Sequence, residues 1–133
     1  MKDDDRGLLM QIPFSKKEMM CRCGCETIIL DLEFIKKLTA ARWIAGVPFG
    51  ISSWCRCEKH NKEVGGTPTS SHLVGKAADI RTNSIEHRYK ILKALMEAGF
   101  TRFGIGESFI HVDLDRTKKQ NVIWTYPSSK KVW

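Results

Sequence analysis

No apolar run in this chain approaches the roughly 20 residues that a membrane-spanning helix needs, which argues against a membrane partner. No secretory pattern opens it either. Met1-Lys2-Asp3-Asp4-Asp5-Arg6 is polar and acidic, so the expectation is synthesis in a cytoplasm without a signal peptide, with action elsewhere only after release or delivery. Repeats and low-complexity stretches are absent, which excludes a repeat architecture. The five cysteines make an odd number, so complete internal disulfide pairing is impossible, and reduced thiols are expected. Cys21, Cys23 and Cys25, and again Cys55 and Cys57, follow one another in C-x-C steps, tighter than the two-to-four-residue spacing usual for paired zinc cysteines, and no histidine is adjacent, so reduced buried thiols are the default and a structural metal the alternative.

At 133 residues the chain suits one domain with a real core, and nothing in it suggests more than a monomer. Lys and Arg outnumber Asp and Glu by 22 to 15, for a net charge of +7. That excess favours a polyanionic partner, either nucleic acid or a wall rich in phosphate and carboxylate. Part of it is local, since Lys118, Lys119, Lys130 and Lys131 fall near the end. No nucleic-acid motif supports the first option, and the expectation is no nucleic-acid partner.

The pattern predicts a lead-in over 1–13 and a helix over 31–45, capped by Asp31 and ended by Gly46 and Pro48. A short strand is expected over 49–52 and a short helix or turn over 57–63. Residues 77–81 read as a strand, with Ala78 and Ile80 on one face and Asp79 on the other. A second helix runs from Ser84 to about Ala98, with Tyr89, Leu92, Leu95 and Met96 as its apolar stripe. Residues 102–105 and 109–114 form a hairpin around Gly106, and 122–126 a last strand. His87 is expected on the solvent side of the second helix. The elements lack a regular βαβ rhythm, so the fold class is α+β: a single domain, mainly antiparallel sheet flanked by helices.

The chemistry concentrates in Ser70-Ser71-His72-Leu73-Val74-Gly75-Lys76-Ala77-Ala78-Asp79 and Phe109-Ile110-His111-Val112-Asp113. Strand alternation puts Asp79 and His111 opposite the apolar faces of their own strands, so both can point into one cleft. His72 lies just before the first of these strands. Two imidazoles and one carboxylate suit zinc with a position left for water. Taken alone, each residue also has an ordinary reading: a loop histidine, a strand-end carboxylate and a half-buried strand histidine.

The stretch from Ile51 through Trp54-Cys55-Arg56-Cys57 and His60-Asn61 to Ile80, together with Phe109–Asp113, resembles the M15 family of zinc D-Ala-D-Ala carboxypeptidases and peptidoglycan endopeptidases. It is most similar to the short, phage-associated branch. The Cys-Arg-Cys-Gly-Cys stretch followed by a helix is similar too. The resemblance covers about 14–113, leaving 114–133 as a basic C-terminal segment, and it implies a fold of the hedgehog and DD-peptidase type. It also implies that His72, Asp79 and His111 bind Zn2+ and that Arg56 grips the substrate carboxylate or the developing oxyanion. His60 and Asn61 would brace the loop carrying Arg56.

The chain departs from the family pattern twice. Trp54-Cys55 stands where Gly-Tyr is common, and Ser108 stands where many relatives carry Glu or Asp three positions before the last histidine. Glu107 and Asp113 remain as candidates for the general base, and Asp113 can equally orient His111 or Arg56. Trp124, Tyr126 and Trp133, interleaved with lysines, can stack on sugars or bases or simply cover a sheet edge. Three functions compete. The first is a zinc peptidase acting on peptidoglycan stem peptides, as a phage or prophage endolysin would. The second is a non-catalytic zinc-containing module that binds wall peptides. The third is a basic nucleic-acid-binding protein with cysteine-held metal.

Overall fold

A computed structural model describes residues 12–127. Most of the lead-in, Lys130, Lys131 and Trp133 lie outside them. The first short helix, α1 (Lys16–Met19), starts in a capping box in which Ser15 and Glu18 satisfy each other's backbone N–H. Helix α2 (Leu32–Ala45) is capped as the sequence predicts: the Asp31 carboxylate accepts from the Phe34 N–H at 2.9 Å, and Gly46 closes the far end. Strand β1 (Gly50–Ser53) follows, then α3 (Glu58–Glu63), a 3₁₀ turn (Ser71–Val74), β2 (Ala77–Arg81) and α4 (Ile85–Glu97). Strands β3 (Arg102–Ile105), β4 (Phe109–Asp113) and β5 (Val122–Thr125) complete the domain.

The strands form one sheet in the order β1-β2-β4-β3-β5. All pairs are antiparallel except β3 and β5, which run parallel and put β5 on the edge. The class is therefore the α+β fold expected, with helices against a mostly antiparallel sheet. One face of the sheet is apolar: Ala78, Ile80, Ile110 and Val112 join Phe34, Leu38, Ile91 and Leu95 in the core. Phe34 sits at its centre, edge-on to Trp54 and Phe100 with ring centroids 5.4 and 5.7 Å away. Such pairs add about 0.5–1.5 kcal/mol each beyond area burial.

Helix α4 docks on a stripe shifted from the one expected: Leu95 is buried and Leu92 packs against the core as expected, but Tyr89 and Met96 do not join them. Ile91, Ala94 and Leu95 are buried, whereas Tyr89 and Met96 are 67% and 45% exposed. The helix carries apolar residues on adjoining faces. Contact with α2 and β4 selects the face rotated toward Ile91, which periodicity alone does not specify.

The link between the 3₁₀ turn and β2 depends on Gly75. Its φ is +70°, and a Cβ there would lie 2.1 Å from the Ile29 carbonyl oxygen. Gly75→Ala is therefore expected to cost at least about 1–3 kcal/mol from left-handed strain, read by urea unfolding. A loss below about 0.5 kcal/mol, the size of an ordinary surface change, would contradict this account of the turn.

Candidate metal centre

Register brings the site together. In the β2–β4 ladder Asp79 lies directly opposite His111, and both side chains project from the face away from the helices. The 3₁₀ turn delivers His72 to the same place. Asp79 Oδ1 is 2.9 Å from His111 Nδ1 and 3.4 Å from His72 Nε2. All three side chains are buried, and one donor atom from each lies within 4.8 Å of the others.

Each imidazole is oriented from behind. His72 Nδ1 lies 2.5 Å from the Trp54 carbonyl oxygen, which can only accept, so Nδ1 carries the proton and Nε2 presents a lone pair. That Nε2 is buried with no hydrogen-bond partner. A buried nitrogen lone pair aimed at a carboxylate is costly unless a cation lies between them. On the other ring, His111 Nε2 donates to Asp113 Oδ2 at 2.8 Å. Arg102 Nε holds Asp113 Oδ1 at 2.7 Å, and the Asp115 N–H donates to the same oxygen at 3.1 Å. A backbone carbonyl behind one histidine and a carboxylate behind the other is the arrangement that raises ligand basicity and fixes the tautomer at metal sites. The donor set and the orphaned Nε2 both fit a zinc ion.

Arg56 closes one side. It follows β1, is 2% exposed, and donates from Nη2 to Asp79 Oδ2 at 3.3 Å. Ser53 Oγ receives its Nε at 3.2 Å and Asn61 Oδ1 its Nη1 at 3.1 Å. The two oxygens of Asp79 thus divide their work, Oδ1 to the histidines and Oδ2 to the guanidinium. The expected bracing role falls to Asn61, which also donates to the Thr67 carbonyl at 2.8 Å. His60 instead lies 4.0 Å from Glu63.

These groups open into a cleft of about 220 Å³ whose lining includes Arg56, His72, Arg102, His111, Asp113 and Lys118. Trp124 and Tyr126 from the edge strand wall it, with the Trp124 ring 5.6 Å from that of His111 and 5.0 Å from the Arg102 guanidinium. Burial pushes the Tyr126 phenol up to about 12, so it remains a protonated donor. A larger apolar depression of about 620 Å³ near Ile44, Ile85 and Tyr89 holds none of the site residues.

The two carboxylates considered for proton transfer are placed differently. Asp113 lines the cleft, on the far side of the His111 ring from Asp79. Glu107 is exposed in the β3–β4 turn and is not among the cleft residues, as is its neighbour Ser108. Arg102 was not singled out from the sequence. The only signal for it was a cation opening a strand of otherwise apolar residues. Trp124 in β5 and Tyr126 just beyond its end are two residues apart and share a face, which was legible, but the cleft they wall was not.

Electrostatics set the two imidazoles apart. Burial pushes His72 down, and Asp79 recovers only part of the loss. Burial also opposes a charge on His111, but its bonds to Asp113 and Asp79 outweigh it and raise the group to about 8. Burial likewise opposes ionisation of Asp79, yet the two histidines hold its carboxyl well below the usual range. Without metal, His111 as imidazolium supplies the positive charge that Asp79 needs. Its folded value lies above the ordinary 6.5, so its contribution to stability is complete below that pH and is lost as pH rises through about 8. In the metal-free protein, imidazole NMR titration is expected to place His111 near pH 8 and His72 below the ordinary histidine value. The reverse order would contradict this picture.

No curated protein matches the chain. The sequence model of the Peptidase M15 family matches residues 12–113. That span contains both histidines, Asp79, Arg56 and Asp113, and it ends at the last residue of β4. A match over most of the chain that takes in the whole converging constellation places this protein in the Peptidase M15 family, as a peptidase.

Proposed function

We propose that the protein is a zinc-dependent peptidase that hydrolyses a D-amino-acid-containing bond in bacterial peptidoglycan stem peptides. The observation that carries this reading is the orphaned Nε2 of His72, buried and aimed at Asp79 and His111 on the floor of an open cleft. His72, Asp79 and His111 would hold the ion. Zinc supplies Lewis-acid polarisation of a carbonyl and a water acidified towards about 7.

The chain's own residues supply the rest. Arg56, fixed by Ser53, Asn61 and Asp79, presents an oriented guanidinium at the cleft wall, suited to a substrate carboxylate or to charge that grows on the scissile oxygen. Arg102 and Lys118 add positive charge to the same lining, which favours an anionic peptide over a neutral one. Asp113 fixes His111. Among the described residues it is also the only carboxylate in the cleft lining, and its Oδ2 keeps one acceptor position beyond the His111 bond. We assign proton transfer to Asp113 rather than Glu107 on that ground. Trp124 and Tyr126 exclude water from one side and offer aromatic surface to the substrate. No described helix is long and apolar enough to cross a membrane. We propose that the protein works as a monomer reaching the wall by release or delivery, as a phage or prophage endolysin would, with peptidoglycan rather than nucleic acid as its partner.

Incubation with purified peptidoglycan, with fragments identified by mass spectrometry, tests the reading. Cleavage is expected, and chelator or His72→Ala is expected to abolish it. Metal bound at the histidines without any cleavage would instead favour a non-catalytic wall-peptide-binding module. Asp113→Asn is expected to lower kcat/KM by about 10²-fold or more, as loss of a positioned proton acceptor does, with metal retained. Glu107→Gln is expected to stay within a few-fold of the parent. Equal losses would overturn the choice of Asp113.

A further inference from the structure

The loop between α1 and α2 gathers three thiols, and a fourth meets them from the N-terminus of α3. The Sγ atoms of Cys21 and Cys23 are 3.5 Å apart, those of Cys23 and Cys57 3.6 Å, and those of Cys21 and Cys57 3.8 Å. Cys25 Sγ lies within 4.8 Å of all three. A disulfide would need about 2.05 Å, so these sulfurs are packed together without being bonded. Around a zinc ion with Zn–S bonds of about 2.3 Å, tetrahedral thiolates sit about 3.8 Å apart. The observed separations are close to those edges.

The backbone is built to hold this arrangement. Gly24, with φ of +88°, turns the chain between Cys23 and Cys25 so that residues two apart face inward together. The Cys21 N–H closes the loop on the Thr27 carbonyl at 2.8 Å. The N–H groups of Cys57 and His60 point at sulfur, at 3.4 Å from Cys21 Sγ and 3.3 Å from Cys57 Sγ. Backbone N–H donors aimed at sulfur stabilise thiolates rather than thiols. Cys55 stands apart, buried, with its Sγ on the Thr27 carbonyl at 3.2 Å. Its sulfur is thus engaged outside the group formed by Cys21, Cys23, Cys25 and Cys57, which leaves four of the five cysteines as ligands.

We propose that Cys21, Cys23, Cys25 and Cys57 bind a second, structural zinc ion. Soft thiolates select a thiophilic cation, and four protein ligands leave no open position, so this ion has a folding role rather than a catalytic one. The site clips the 21–25 loop onto the segment that carries Trp54, whose carbonyl orients His72, and Arg56. The clip therefore acts as a positioning device for the cleft, although it needs none of the cleft residues.

Cadmium-113 NMR of the wild-type protein loaded with cadmium in place of zinc is the direct test. A resonance in the far-downfield tetrathiolate region is expected, distinct from that of the nitrogen–oxygen site. In the His72→Ala/His111→Ala double variant the thiolate resonance is expected to persist while the other disappears, so this proposal and the proposed catalytic site fail separately. Metal analysis of the zinc protein is expected to give two ions per chain, falling to one in Cys23→Ser/Cys25→Ser and to one in the histidine double variant. Absence of any tetrathiolate resonance in the wild type would overturn the proposal. So would a disulfide among these four residues in freshly reduced, metal-loaded protein.

Discussion

The ladder pairing of Asp79 with His111 is the constraint on which the site depends. It places a carboxylate and an imidazole side by side on the cleft face of the sheet, while Ala78, Ile80, Ile110 and Val112 anchor the other face to the helices. A slip of one residue in either strand would send these groups into the apolar core and the core residues into the cleft. The hydrophobic effect therefore fixes the chemistry indirectly: burial of one face enforces the register, and the register assembles the site.

Asp79 is the electrostatic hub of that assembly. It is fully buried, with two histidines on one oxygen and Arg56 on the other. A carboxylate in that position is tolerable only while cations surround it. Arg56 is permanent. The second positive charge comes from protonated His111 in metal-free protein, or from a metal ion held by both rings. The surrounding bonds, from Trp54 to His72 and from Asp113 and Arg102 to His111, keep the rings in place in either state.

Much of this was legible in the sequence. Asp31 and Ser84 marked the starts of α2 and α4, because a short polar side chain before an apolar periodic run has a local job. The 77–81 strand and its parity followed from alternation alone. What stayed hidden depends on long-range packing. Arg102 reaches Asp113 only because β3 pairs with β4. Trp124 and Tyr126 become cleft walls only because β5 adds parallel to β3, a pairing that no local pattern encodes. Tyr89 and Met96 misled for the same reason, since docking chose the neighbouring stripe of α4. The convergence of Cys57 with Cys21 across more than thirty residues is likewise a property of the folded chain.

The central claim is that His72, Asp79 and His111 share one zinc ion. Anomalous diffraction at the zinc edge from crystals grown with stoichiometric zinc tests it most directly. The account requires an anomalous peak bounded by His72 Nε2, Asp79 Oδ1 and His111 Nδ1, beside the Arg56 guanidinium. Zinc in the crystal with no peak at those three atoms would contradict it.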